Sequence, residues 1–249
     1  MVPVKSNSWN NTRDPVDSFI LICEGDIIVK NLEYEREKIQ AHHLRYRIFC
    51  QELRWVSESE VLLEIDEYDN HAVFFGVLDR ENRLLAYLRL IMSEKPFMLE
   101  KEFLSLVGPE HKIRKESNRA EISRLCVAPE ARNAKVTGNY GTYGISMFLF
   151  KGIYHWCIKN GIRYLYAVTE EKVFRLFCTK GFPYRLIGSP TTMPDGVTAM
   201  AVIMDWREFE ILSSVKRPEM MRWFTQYQST VAQLQWQQRA SWSQHRVFA

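Results

Sequence analysis

Two short apolar runs flank Glu24-Gly25-Asp26 in "SFILICEGDIIVKNL", which predicts a hairpin. From Glu33 to about Leu53 the pattern becomes helical, with Ile39, Leu44, Ile48, Phe49 and Leu53 at mixed spacing among many charges. "HAVFFGVLD", the polar turn "RENR" and "LLAYLRLIM" predict a second hairpin that Pro96 ends. A short helix is expected over "FMLEKEFLSLV", then a charged loop, then a strand over "AEISRLCVAP" that stops at Pro129. "EARNAKVTGNYG" reads as a loop leading to an apolar helix from about Thr142 to Lys159, which Asn160-Gly161 caps. "IRYLYAV" is a buried strand, "EEKVFRLFCTKG" a helix closed by Gly181, and "VTAMAVIMDW" a late strand. Strands with intervening helices make an α/β (mixed α+β) sandwich.

Residues 1–17 form a polar arm, 18–206 carry the main pattern, and from Arg207 to residue 249 the texture turns rich in Gln and Trp. In that last stretch Met221, Phe224, Tyr227, Val231 and Leu234 recur at helical spacing, predicting a helical appendage packed on the domain.

A length of 249 residues with 46% hydrophobic content suffices for one full core. A net charge of +3, with Lys and Arg spread along the chain, argues against nucleic acid as a partner. Five separated cysteines without a CxxC pair suit reduced thiols better than disulfides or zinc. The start has no signal-peptide core and no apolar run reaches the roughly 18 residues of a membrane span, so the cytoplasm is expected. Motifs for nucleotide phosphates, a catalytic metal or a serine nucleophile are absent, and no metal site is expected.

The chemistry concentrates elsewhere. Glu64, Asp66, Glu67 and Asp69 place four carboxylates in six residues, while Arg45, Arg89 and Arg124 lie in otherwise apolar elements where guanidinium groups need anionic partners. The expected arrangement brings Asp66 and Asp69 to those arginines as an ion-pair network on a cleft wall. Arg45 and Phe49, four apart, share a helical face, and Trp55 follows just beyond the helix. Glu121 and Arg124 would point to opposite faces of a regular strand, so they either do different jobs or the strand carries a bulge. By itself Cys126 reads as a core thiol.

Taken in order, R-x-x-x-F (Arg45, Phe49), Trp55, D-x-x-D (Asp66, Asp69), Arg89, Phe103 and E-x-x-R (Glu121, Arg124) resemble the acyl-homoserine-lactone synthases, the autoinducer synthases of bacterial quorum sensing. The N-acyl amino acid synthases, relatives in the same GNAT acyltransferase superfamily, match "RYRIFCQELRWV" and "EIDEYDNHAVFF" equally well. The resemblance implies a GNAT-like three-layer sandwich over roughly residues 18–210, with a V-shaped split in its central sheet. It implies a fatty acyl group carried on acyl carrier protein as a phosphopantetheine thioester, with no permanently bound cofactor. It implies an amino-acid-derived amine acceptor, either S-adenosylmethionine or a free amino acid, held in an electronegative pocket by Arg45, Phe49, Trp55, Asp66 and Asp69. Glu121 and Arg124 take the catalytic positions, Glu121 as base, and Arg89, Phe103, Ser123 and Cys126 the structural and acyl side.

The loop "EARNAKVTGNYGTYG" lacks the phosphate-loop spacing of CoA-dependent acetyltransferases, which favours a carrier-protein donor. Arg114, Lys115, Arg132, Lys135, Lys151 and Lys159 are the expected contacts for that acidic carrier. Two other readings stay open: a CoA-dependent small-molecule N-acetyltransferase, and a non-catalytic GNAT domain that binds acyl carrier protein or lipid.

Overall fold

The computed structural model describes residues 19–227, so the N-terminal arm and the positions of Val231 and Leu234 lie outside the described residues. Strands β1 (Leu21–Glu24) and β2 (Ile27–Asn31) form the first hairpin, with Gly25 at φ +58° in its turn. Helix α1 (Glu35–Arg45) runs into a widened turn of π type over Tyr46–Glu52, closed by a 2.8 Å bond from the Leu53 N–H to the Ile48 carbonyl. This wider turn is why the apolar spacing in the sequence is mixed. Ile39, counted there as apolar face, is 46% exposed, whereas Leu44, Ile48 and Phe49 are buried.

The acidic run winds into a 3-10 turn over Glu67–His71 and delivers the chain to the hairpin of β3 (Ala72–Leu78) and β4 (Leu84–Met92). The short helix α2 (Met98–Lys101) precedes β5 (Arg119–Val127). The stretch expected as a plain loop after Pro129 instead folds as a small hairpin, β6 (Lys135–Gly138) with β7 (Gly141–Gly144). Helix α3 (Ile145–Lys159) therefore starts at Ile145 rather than Thr142. It is followed by β8 (Tyr164–Glu170), α4 (Glu171–Thr179), the two-residue strands β9 (Arg185–Leu186) and β10 (Thr191–Thr192), and β11 (Thr198–Asp205). Two helices close the described chain, α5 (Trp206–Lys216) and α6 (Pro218–Thr225). Pro218 opens the second of them, where its missing N–H is harmless.

The main sheet has the order β1-β2-β3-β4-β5-β8-β11, with β9 and β10 on the outer edge of β11. Its neighbours pair antiparallel except β5 with β8. That parallel pairing covers only Arg119–Ile122 against Tyr164–Ala167, although the strands continue to Val127 and Glu170. Beyond Ile122 and Ala167 the strands are no longer paired, and the sheet splits into the expected V.

Alternation along the strands sends Val29, Phe75, Leu88, Leu90 and Ile122 to one face, where they pack on α3 with Phe148 and Trp156. Trp206 from α5 and Trp223 from α6 are fully buried in this same cluster. The opposite face carries Phe74, Tyr87 and Cys126 against α1, and Ile91, Tyr166 and Ala201 against α2. Three layers result, and the site residues lie on the α1 and α2 side.

The backbone of Ile187-Gly188 runs directly against Leu106–Gly108, with the Gly108 N–H donating to the Ile187 carbonyl at 2.8 Å. A Cβ at Gly188 would overlap the Leu106 carbonyl oxygen and approach the Gly108 nitrogen to 2.7 Å. Gly188→Ala is therefore expected to lower unfolding free energy by about 1–3 kcal/mol, read as a shift in a urea denaturation midpoint at unchanged slope.

Candidate active site

Arg45 ends α1 and Arg89 sits in the middle of β4; both are 0% exposed. A buried guanidinium without a partner would be prohibitive, and the acidic turn supplies the partners. Arg45 donates from Nε to Glu64 and from Nη1 to Asp69 at 2.6 Å. Arg89 grips Asp66 with two nitrogens, at 2.5 and 2.6 Å, and also bonds Asp69. Arg124 reaches Glu64 at 2.9 Å and Asp66 at 3.2 Å. Asp66 also caps the acidic turn by accepting the Tyr68 N–H, while Asp69 accepts the N–H of Asp66.

The lattice thus holds three carboxylates (Glu64, Asp66, Asp69) against three guanidiniums (Arg45, Arg89, Arg124) and is electrically balanced. The expectation that Asp66 and Asp69 meet the arginines holds. The expectation of an electronegative pocket does not follow from this lattice, because the arginines consume its charge. Burial pushes the Glu64 and Asp66 carboxyls up, but Arg124 and Arg45 on the first and Arg89 on the second outweigh it, and both lie below the usual range.

A bulge explains how Glu121 and Arg124 share one face. Tyr87 of β4 faces Cys126 and Arg89 faces Ser123, so the single residue Leu88 opposes the pair Arg124-Leu125. Arg124 takes up the extra residue at φ +55°, in the left-handed region. Glu121, Ser123, Arg124 and Cys126 consequently all address the α1 and α2 side, with Ser123 Oγ accepting from Arg89 Nε at 2.8 Å. Arg124 is 16% exposed at its side chain, and its Nη1 lies 3.9 Å from the Met98 sulfur.

Glu121 is 1% exposed, and its two oxygens accept the Met98 and Leu99 N–H groups at 2.6 and 3.0 Å. Phe49 is buried under the Arg124 guanidinium, 5.4 Å away, and tilts against Trp55 at 6.2 Å. Trp55 is 41% exposed and forms the outer wall. Phe103 is half-buried in the apolar cluster with Ile91, Leu106 and Tyr166. Cys126 is a core thiol that burial pushes up to about 12, and an inert one.

A family model described as "Autoinducer synthase" matches residues 30–211, which contain every site residue above. The chain belongs to the autoinducer synthase family. It is an acyltransferase with the GNAT-like fold that the sequence resemblance implied. A probable acyl-homoserine-lactone synthase of Sinorhizobium fredii is 28% identical over 171 residues, 68% of this chain and 79% of the relative. Among solved structures, BjaI, a CoA-dependent acyl-homoserine lactone synthase with MTA, superposes with a TM-score of 0.62 at 24% identity, covering 73% of this chain and 82% of BjaI. FeeM, an N-acyl amino acid synthase from uncultured soil microbes, superposes at 0.52 with 15% identity, covering 75% and 93%. At these identities the two structures show a shared fold.

Two members of this synthase's site escape sequence reading. Glu64 bridges Arg45 and Arg124 at 4% exposure, yet in the sequence it is only the first of four clustered acids. Charge arithmetic could have found it, since three arginines in apolar elements against two aspartates leave one cation unmatched. His42 Nδ1 lies 3.0 Å from the Glu64 carbonyl, and burial with Arg45 nearby pushes its imidazole down; no spacing announces it. Lys151, expected on the carrier-facing surface, is instead buried at 1% with Nζ 2.5 Å from Glu24. Lys115 is half-buried on Glu100 and Phe97 and the exposed Arg132 pairs with Glu52, while Arg114, Lys135 and Lys159 are also exposed.

Removing one partner of a buried pair leaves a bare charge, so Glu64→Gln is expected to cost about 3–5 kcal/mol in denaturant unfolding at pH 7. The lowered Glu64 and Asp66 carboxyls contribute stability that is present above about pH 5 and withdrawn as pH falls below about 4. Melting temperatures measured from pH 7 to 3 should therefore fall in acid, and less steeply for Glu64→Gln than for the wild type.

Proposed function

We propose that the enzyme moves a fatty acyl group from a phosphopantetheine thioester to the primary amine of S-adenosylmethionine and yields an N-acyl-homoserine lactone. The observation that carries this reading is the Arg124 guanidinium, whose side chain is 16% exposed where those of Arg45 and Arg89 are 0%, set beside the Phe49-Trp55 wall on the part of β5 that no longer pairs with β8. A guanidinium edge suits the acceptor carboxylate, and the half-exposed Trp55 suits a sulfonium and an adenine.

The neutral amine attacks the thioester carbonyl, the tetrahedral oxyanion collapses, and pantetheine thiolate leaves. The bulge at Arg124-Leu125 releases backbone N–H groups from the ladder to receive the oxyanion. An oxygen of the acceptor carboxylate then displaces methylthioadenosine at the carbon bearing the sulfonium and closes the lactone. The family resemblance offers Glu121 as the base, but it is buried with a backbone N–H on each oxygen, so in this reading the amine proton passes to water in the cleft.

Acyl carrier protein is the proposed donor, because the β6–β7 hairpin stands where a pyrophosphate-holding loop would be, with exposed Lys135 on it. Acyl-CoA is the second reading, favoured by the fold shared with BjaI, whose description is CoA-dependent. Mass spectrometry of extracts from a bacterium expressing the chain should show an acyl-homoserine lactone; an acyl amino acid, or no new product, would sink the acceptor assignment. With purified enzyme, Arg124→Lys should lower kcat/KM for the acceptor roughly tenfold to hundredfold, as expected for a lost charge-assisted bond, while kcat/KM for acyl carrier protein thioester exceeds that for the matching acyl-CoA.

A further inference from the structure

Glu121 has the position of a catalytic base and the surroundings of an anchor. Its hydrogen bonds among the described residues come from two backbone N–H groups, one on each oxygen, at the start of α2. Two donors on two oxygens fit the ionised carboxylate, since a protonated oxygen would face an N–H. Burial outweighs these two donors and Arg89 and pushes the carboxyl up to about 8, while the two N–H donors and Arg89 act in the opposite direction, toward the anion. At 1% exposure, with a backbone N–H on each oxygen, Glu121 is closed off from an incoming amine.

Helix α2 is four residues long, too short to hold itself in place. What it carries is turned toward the acceptor wall. The Met98 sulfur lies 3.4 Å from Arg89 Nη2 and 3.9 Å from Arg124 Nη1. Lys101 pairs with Glu67 at 3.1 Å, and Glu102, the next residue, accepts from the Tyr68 hydroxyl at 2.6 Å. Glu67 and Tyr68 sit between Asp66 and Asp69 in the acidic turn, and the Tyr68 ring lies under Arg89 at 5.6 Å. A single helix thus touches the acidic turn, Arg89 and Arg124, and Glu121 grips its first two N–H groups from the strand below.

We infer that Glu121 is a positioning residue: it fixes α2 so that Met98, Lys101 and Glu102 keep the acidic turn and its arginines in register for the acceptor, and it does not take the amine proton. This rests on the proposed acyl transfer to an amine.

The test compares wild type, Glu121→Gln, Tyr68→Phe and the double variant by steady-state kinetics across the pH range of activity, with folding followed by thermal unfolding. Glu121→Gln should raise KM for S-adenosylmethionine about tenfold or more and leave the midpoint of the acid limb of the pH–rate profile where it is in the wild type. Tyr68→Phe should shift KM in the same direction by less, and the double variant should fall short of the product of the two effects. A Glu121→Gln enzyme with unchanged KM and no acid limb would make Glu121 the base and overturn the inference, as would wild-type KM in Tyr68→Phe.

Amide hydrogen exchange gives a readout independent of activity: in Glu121→Gln, residues 97–103 and 64–71 should lose protection together. Loss confined to 97–103 would overturn the inference. Wild-type protein without transfer to any amine would instead defeat the proposed function, while the exchange result would still decide the coupling. If Glu121→Gln does not fold, Met98→Leu supplies the second variant, expected to raise KM for the acceptor and refuting the coupling if it does not.

Discussion

Three guanidiniums packed among apolar side chains set the terms for this molecule. Arg45 and Arg89 have no access to water, and the free energy of burying them is recovered only if carboxylates come to meet them with good geometry. That requirement folds the segment from Glu64 to Asp69 onto the sheet, because a loop with so many like charges would otherwise remain in solvent. Glu64 and Asp69 each join two guanidiniums and Asp66 joins all three, so the lattice ties the end of α1, the middle of β4 and the bulge of β5 into one unit. The wall of the site is rigid because no member can leave without exposing a bare charge.

Around this lattice the active face is built from departures from regular geometry. The π turn after α1 widens the helix where Phe49 must lie beneath Arg124. A left-handed residue at the β5 bulge swings Arg124 to the side that regular alternation would deny it. Loss of pairing between β5 and β8 opens the cleft. Each irregularity weakens local hydrogen bonding and is tolerated because the layers on both faces hold the strands, with Trp206, Trp223 and Phe148 packed beneath.

Membership of the autoinducer synthase family and a fold shared with both lactone synthases and an N-acyl amino acid synthase leave the acceptor to be chosen by local detail. The balanced lattice cannot attract a cation by net charge, so in the proposed reaction recognition falls to the Phe49-Trp55 surface and to Arg124. The proposed donor and acceptor sides meet at α2, whose apolar residues face the cluster holding Phe103 while Lys101, with the following Glu102, reaches the acidic turn.

The sequence alone determined what depends on neighbours along the chain: strand alternation, the Gly25 turn, the stop at Pro129, and the order of residues that marks the family. It also limited the partners of Arg45, Arg89 and Arg124 to the acidic run, since no other carboxylates are grouped that way. It could not say which carboxylate meets which arginine, that Glu64 lies deepest, that Lys151 turns inward to Glu24, or that Glu121 holds a helix. Those assignments join residues tens of positions apart, and they are decided by which charges lose water together once the layers close. The six-residue acidic run reads the same whether solvated or buried; only packing distinguishes the two.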